Sequence, residues 1–154
     1  MNCEKVIKPS FAVIGKEGST EDGVGFIQKL WEDTNAHFSE IADIIKIEND
    51  GAPLGIWGAM SDITHSLLPW QENFSKGLYL AGAECDVSVI PPDGWVKWII
   101  PSFEYIRIES NTENAFAKGL EYLKESHLEL AGAVHELTLM STGKEYLYFP
   151  IKRL

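Results

Sequence analysis

Residues Trp95 to Glu109 read WVKWIIPSFEYIRIE, and the fold is decided in this stretch and its sequel. It reads as one long strand. Proline cannot donate to a ladder, so Pro101 marks an interruption or an edge. Next, Ser110-Asn111-Thr112-Glu113 has capping-box spacing, in which the serine covers an orphan amide and the glutamate reaches back. The helix that follows, to about Ser126, buries Phe116, Leu120 and Leu123. Two further strands, Ala133 to Met140 (AVHELTLM) and Glu145 to Ile151 (EYLYFPI), are joined by Ser141-Thr142-Gly143-Lys144. The order is strand, helix, strand, strand.

Working back toward the N-terminus, the same order appears once more. Ser10 to Gly15 (SFAVIG) reads as a short buried strand, and Lys16 to Gly23 as a turn rich in glycine, serine and acids. From Val24 the period becomes helical. Phe26, Ile27, Leu30, Trp31, Phe38, Ile41, Ile44 and Ile45 recur at three- and four-residue steps on one face. Asp22 is the expected N-cap, and Asn49-Asp50-Gly51 closes the segment. Pro53 to Ser61 and Gly77 to Cys85 form a hairpin across a long connection carrying Leu67, Leu68 and Trp70. Asp86 to Gly94 bridges the halves. Neither half can bury its sheet with one helix. The expectation is therefore a single α+β domain, residues 1–154, with pseudo-repeats at about 8–86 and 95–154. Two βαββ units side by side form one antiparallel sheet, with helices on one face and a ligand cleft on the other.

Thirteen lysines and arginines against 23 aspartates and glutamates give a formal net charge of −10. That field repels phosphate backbones and attracts cations, which argues against direct contact with nucleic acid. Cys3 and Cys85 form no CxxC, so neither a disulfide framework nor a thiolate metal site is indicated. His37, His65, His127 and His135 lack metal-ligand spacing, and His135-Glu136 is not HExxH because Leu139 holds the fifth position. No P-loop, GxSxG elbow or dinucleotide glycine loop is present. No cofactor or metal is expected. MNCEKVIKPS turns polar too early for a signal peptide, and no apolar run nears the ~20 residues of a membrane span, so a cytoplasmic protein is expected.

Four stretches, GIWGAMSD (Gly55 to Asp62), WIIPSFEY (Trp98 to Tyr105), LAGAVH (Leu130 to His135) and YLYFPIK (Tyr146 to Lys152), carry a family likeness. In this order and spacing the chain resembles the GyrI-like small-molecule-binding family, which includes effector-binding domains of multidrug-sensing transcription activators. The resemblance implies a pseudosymmetric pair of βαββ units with ligands in a central cleft. It also implies two alternatives to plain binding: hydrolysis of cyclopropanoid compounds, and inhibition of a protein partner. Many members carry a glutamate two residues before the aromatic of the last strand. Here Tyr146 holds that place, and Glu145 lies one step away, on the other face of a strand. No helix-turn-helix segment is expected beside the domain, so a stand-alone member is the expectation.

The candidate site residues follow from strand alternation. In the last strand Leu147 and Phe149 should face the helices, leaving Tyr146 and Tyr148 for the cleft. Matching Leu78-Tyr79-Leu80 to Leu147-Tyr148-Phe149 makes Tyr79 their counterpart. Trp57 sits among Gly55, Gly58 and Ala59, with room beside its ring for a flat ligand or a packed neighbour. Trp95 and Trp98 face opposite sides, so at most one lines the cleft, and Trp98 is taken. Trp31 is assigned to the core, and Trp70 to a lid or a surface loop. Glu104 and Glu136 interrupt apolar strands. Each faces either solvent or the cleft, where a buried carboxyl could serve a cationic ligand or act as an acid or base. Glu84 and Asp86, at a strand end, are placed at the surface. The expected ligand is a small, aromatic, cationic organic molecule bound by Trp57, Tyr79, Trp98, Glu104, Glu136, Tyr146 and Tyr148. If the protein is an enzyme, Glu104, Glu136 and Tyr146 are the expected catalytic groups.

Overall fold

The computed structural model describes residues 3–110 and 113–154. Eight antiparallel strands form one sheet: β1 (Cys3–Lys8), β2 (Phe11–Ser19), β3 (Ile56–Ser61), β4 (Leu78–Cys85), β5 (Val96–Ile100), β6 (Phe103–Glu109), β7 (His135–Thr138) and β8 (Glu145–Arg153). The helices are α1 (Phe26–Ala36), a single turn α2 (Gln71–Phe74) and α3 (Ala115–Glu125). Across the sheet the order is β1-β6-β8-β7-β3-β4-β2-β5. A pseudo-twofold axis therefore passes between β7 and β3. The α+β class, the single antiparallel sheet and the two helices on one face are as expected.

Each half has one strand more than expected. The stretch 95–109 is not one strand but two, on opposite sides of the sheet. β5 pairs with β2, and β6 with β8 and β1, the break falling at Pro101-Ser102. Pro9-Ser10 breaks β1 from β2 in the same way, and Ser10 donates its backbone N–H to the Ser102 hydroxyl at 3.0 Å where the two connections meet. Each half thus lends its first strand to the other half's edge. Two-residue links can join opposite sides of an eight-stranded sheet only if it is rolled. The sheet rolls without closing.

The register sorts the side chains by face. Inside the roll lie Phe11, Val13, Trp57, Ala59, Leu80, Trp98, Ile100, Phe103, Tyr105, Leu137 and Tyr148, all buried in one apolar cluster. The sheet face opposite the helices is therefore filled by the protein's own rings, not open as expected. On the outer face the segment after α1 covers Ala12, Ile14 and Cys85 with Phe38, Ile41, Ile44 and Ile45, while α3 covers Ile106, Ile108, Leu147 and Phe149. Thr34 of α1 donates its hydroxyl to the Ala81 carbonyl at 2.9 Å, tying the helix to β4.

The expected first helix is cut short at Ala36. Phe38–Glu40 form a 3-10 turn, and Ile41, Ile44 and Ile45 reach the core from irregular chain, so their spacing reflects burial more than helix. Asp22 caps a 3-10 turn with Ser19, and α1 begins after Gly25, whose φ of 80° is left-handed. The expected capping box at 110–113 falls partly outside the described residues, and α3 begins after Asn114. The β3–β4 hairpin forms as read.

Candidate functional site

Where the pseudo-twofold axis crosses the outer face, α1 and α3 leave a cleft floored by β3 and β7. Alternation aims Glu136 of β7 into it, because its neighbours His135 and Leu137 point inward. A hollow of about 350 Å³ lies on one side of Glu136, lined by Ile27, Met60, Trp70, Phe74, Phe116 and Val134 among others. A second, of about 210 Å³, lies on the other side, with Trp31, Gly58, Tyr79, Glu145 and Tyr146 among its walls. Ile27 and Phe116 each sit two residues beyond the left-handed cap of their helix, so the larger hollow is framed by equivalent positions of α1 and α3.

Glu136 is embedded in this apolar setting. Tyr79 donates its hydroxyl to Glu136 Oε1 at 2.9 Å, and Trp31 Nε1 donates to the Tyr79 oxygen at 3.1 Å. Burial pushes the Glu136 carboxyl up, and the nearby Glu145 charge adds to this, while the Tyr79 hydrogen bond pulls it down. The Tyr79 hydroxyl is itself raised by burial and by the Glu136 charge, so it remains a donor. Among the described residues, no cation lies within ion-pair distance of Glu136. Gly58 makes room for the pair, since a Cβ there would lie 2.0 Å from the Tyr79 oxygen and 3.0 Å from Glu136 Oε1.

The roof over the larger hollow comes from the β3–β4 connection. Asp62 is buried and organises it, accepting hydrogen bonds from the N–H groups of Thr64, Ser66 and Leu68 and from the Ser61 and Thr64 hydroxyls. Burial opposes ionisation of Asp62, but these bonds outweigh it and hold the carboxyl below its usual range. Trp70 Nε1 donates to the Leu78 carbonyl at 2.9 Å, and the Phe74 ring meets Phe116 edge-on at 5.3 Å. Glu72, Asn73 and Phe74 all have left-handed backbone, with φ of 51°, 58° and 62°. Such angles are costly for residues other than glycine.

The expected site residues divide between the two faces. Tyr79 and Glu136 meet in the outer cleft. Trp57 and Tyr148 meet inside the roll, 5.1 Å apart and edge-on. Trp98 is also inside, donating to Glu17 at 2.7 Å. Tyr146 borders the smaller hollow and packs against the inner cluster, with the Arg107 guanidinium 4.7 Å from its ring centre. Glu104 stands apart on β6, opposite Ile7 and Lys152, and lines neither hollow.

The orientation of Tyr79 differs from expectation for a clear reason. Val13 pairs with Glu84 where Tyr105 pairs with Pro150, so Gly82, not Tyr79, matches Tyr148. Aligning Leu78-Tyr79-Leu80 with Leu147-Tyr148-Phe149 slips the strands by three positions, and an odd slip reverses the face. Glu84 is likewise not at the surface: it is buried, accepts from Trp57 Nε1 at 3.1 Å and pairs with Lys8 at 3.3 Å. Trp31, assigned to the core, and Trp70, assigned to a lid or a surface loop, line the cleft, as do Met60, Phe74 and Phe116, none of them a site candidate from the sequence. His135 is structural. Its Nδ1 accepts the Met60 N–H at 3.1 Å, and complete burial drives its pKa down to about 3.

No family model matches this sequence, and no curated protein matches it. Solved structures do match, over nearly the whole chain. The C-terminal domain of EcmrR superposes with a TM-score of 0.66 at 11% identity, covering 99% of this chain and 98% of that one. SAV2435 bound to tetraphenylphosphonium gives 0.58 at 14% identity, covering 99% and 94%. A hydrolase from Listeria innocua gives 0.50 at 13%, covering 97% and 91%. The chain thus has the fold that the GyrI-like resemblance implied. No described helix is long and apolar enough to cross a membrane.

Proposed function

We propose that this protein binds small, aromatic, cationic organic molecules in the cleft around Glu136, for sensing or sequestration. One observation carries the reading: a half-buried carboxyl with a raised pKa and, among the described residues, no cation beside it, walled by aromatic and apolar side chains. An apolar cation supplies the missing charge and covers the walls. Flat rings fit between Trp70, Phe74 and Phe116, whose faces also favour positive charge. A cation centred about 6 Å from the carboxylate gains roughly 3 kcal/mol at an effective dielectric constant near 20. The shared fold of SAV2435, a protein bound to tetraphenylphosphonium, supports this ligand class. Calorimetric titration with tetraphenylphosphonium tests it. Glu136→Gln should weaken binding on the order of 10- to 100-fold. Equal affinity in the two proteins would remove Glu136 from the site.

A second reading, hydrolysis of cyclopropanoid or similar reactive compounds in the same cleft, is favoured by the Tyr79–Glu136 pair. Glu136 would activate water, and the Tyr79 hydroxyl would hydrogen-bond an oxygen that gains charge as the ring opens. A water-added product, lost in Glu136→Gln while binding persists, would establish it. A protein-partner role rests on the family resemblance and the net charge of −10, with no feature of the cleft behind it.

A further inference from the structure

Inside the roll, on the sheet face opposite Glu136, a second constellation has the chemistry of an ammonium site. Phe11 and Trp57 pack with ring centres 4.8 Å apart and planes tilted by 40°, forming two walls of a corner. Both are buried, and so is the Glu84 carboxylate beside them. Trp57 Nε1 donates to Glu84 Oε1 at 3.1 Å, which fixes ring and carboxylate together. The Lys8 ammonium occupies the corner, 3.3 Å from Glu84 Oε1, 4.3 Å from the Phe11 ring centre and 5.6 Å from that of Trp57. Two π faces and one carboxylate around a single ammonium form an aromatic cage.

The occupant is the least firmly held part. Lys8 is the last residue of β1, an edge strand that pairs only with β6, and Pro9 follows it. Its side chain is 24% exposed, whereas that of Glu84 is 6% exposed. The cage therefore opens to solvent on the Lys8 side. A long flexible lysine can leave such a seat while Phe11, Trp57 and Glu84 remain fixed.

We propose that Phe11, Trp57 and Glu84 form a second cation site, for small alkylammonium groups, which the Lys8 ammonium holds shut as a tethered competitor. A ligand enters by displacing Lys8 from the corner. Because a tethered group competes at an effective concentration in the millimolar range, the intact protein should bind such ligands weakly. The site is separate from Glu136, and the two stand or fall independently.

Tetramethylammonium is the probe, and the Trp57 indole N–H resonance in a heteronuclear NMR titration is the readout. Lys8→Ala should bind at least about tenfold more tightly than the unmodified protein. Adding Glu84→Gln in that background should remove the gain. Affinity unchanged by Lys8→Ala, or a gain that survives Glu84→Gln, overturns the proposal. If Lys8→Ala or Lys8→Met does not fold, the unmodified protein decides. Its Lys8 ε-methylene protons should start shifted by the Phe11 ring and move to the free-lysine position as tetramethylammonium is added. A Lys8 signal that stays in place at saturating salt-matched probe refutes displacement.

Discussion

Replacing Glu136 by glutamine should make the unliganded protein more stable while weakening cation binding. The carboxyl is half-buried between apolar walls, and among the described residues Tyr79 alone offsets its desolvation. Burying a polar group without full compensation costs on the order of 1–3 kcal/mol. Glutamine keeps an oxygen to accept the Tyr79 hydroxyl and carries no charge. A gain of about 1 kcal/mol raises the midpoint of a domain this size by roughly 2–4 °C at neutral pH. The pH dependence follows from the direction of the shift. The folded carboxyl holds its proton more tightly than the unfolded one, whose value is near 4.5. Between those two values the folded state binds more protons, so stability falls as pH rises, and above the folded value the full penalty is present. The advantage of Glu136→Gln should therefore grow with pH across that window and vanish below it. Thermal melts of both proteins from pH 4 to 8 (by circular dichroism) measure this difference directly. A variant less stable than the parent at pH 7, or a difference that ignores pH, would refute the reasoning.

Three further substitutions or conditions probe the same architecture. Gly58→Ala should cost about 1–3 kcal/mol and weaken ligand binding, because its Cβ collides with the Tyr79 oxygen; melts and titrations report both effects. Gly119→Ala should destabilise despite the better helix propensity of alanine, worth about 1 kcal/mol, because its Cβ would lie 2.2 Å from the Phe149 ring; a higher melting temperature would contradict the packing. His135 acts on stability in the opposite sense to Glu136. Its folded pKa is depressed to about 3, so stability should fall as pH drops below about 6.5, at up to about 1.4 kcal/mol per pH unit, measured by urea melts.

What was legible in the sequence was periodicity. The α+β class, the β3–β4 hairpin, the last two strands and the inward aim of Tyr148 all follow from alternation and turn chemistry. The exchange of edge strands was not legible, because a proline interruption looks the same whether a strand bends or crosses to the other side of the sheet. Nor was the filled inner face, because the same alternating aromatics serve an open cleft or a rolled core. Glu136 was within reach as an acid in an apolar strand, but its partners Tyr79 and Trp31 lie 57 and 48 residues apart along their hydrogen bonds. Phe74 enters the cleft through three left-handed residues that no periodicity announces.

Whether an apolar cation occupies the Glu136 cleft is read from a heteronuclear NMR titration with tetraphenylphosphonium. The largest shifts should fall on Met60, Phe74, Phe116 and Glu136, with the Trp31 and Trp70 indoles following. Shifts confined to Trp57 and Glu84 inside the roll, or no shifts at all, would contradict the account.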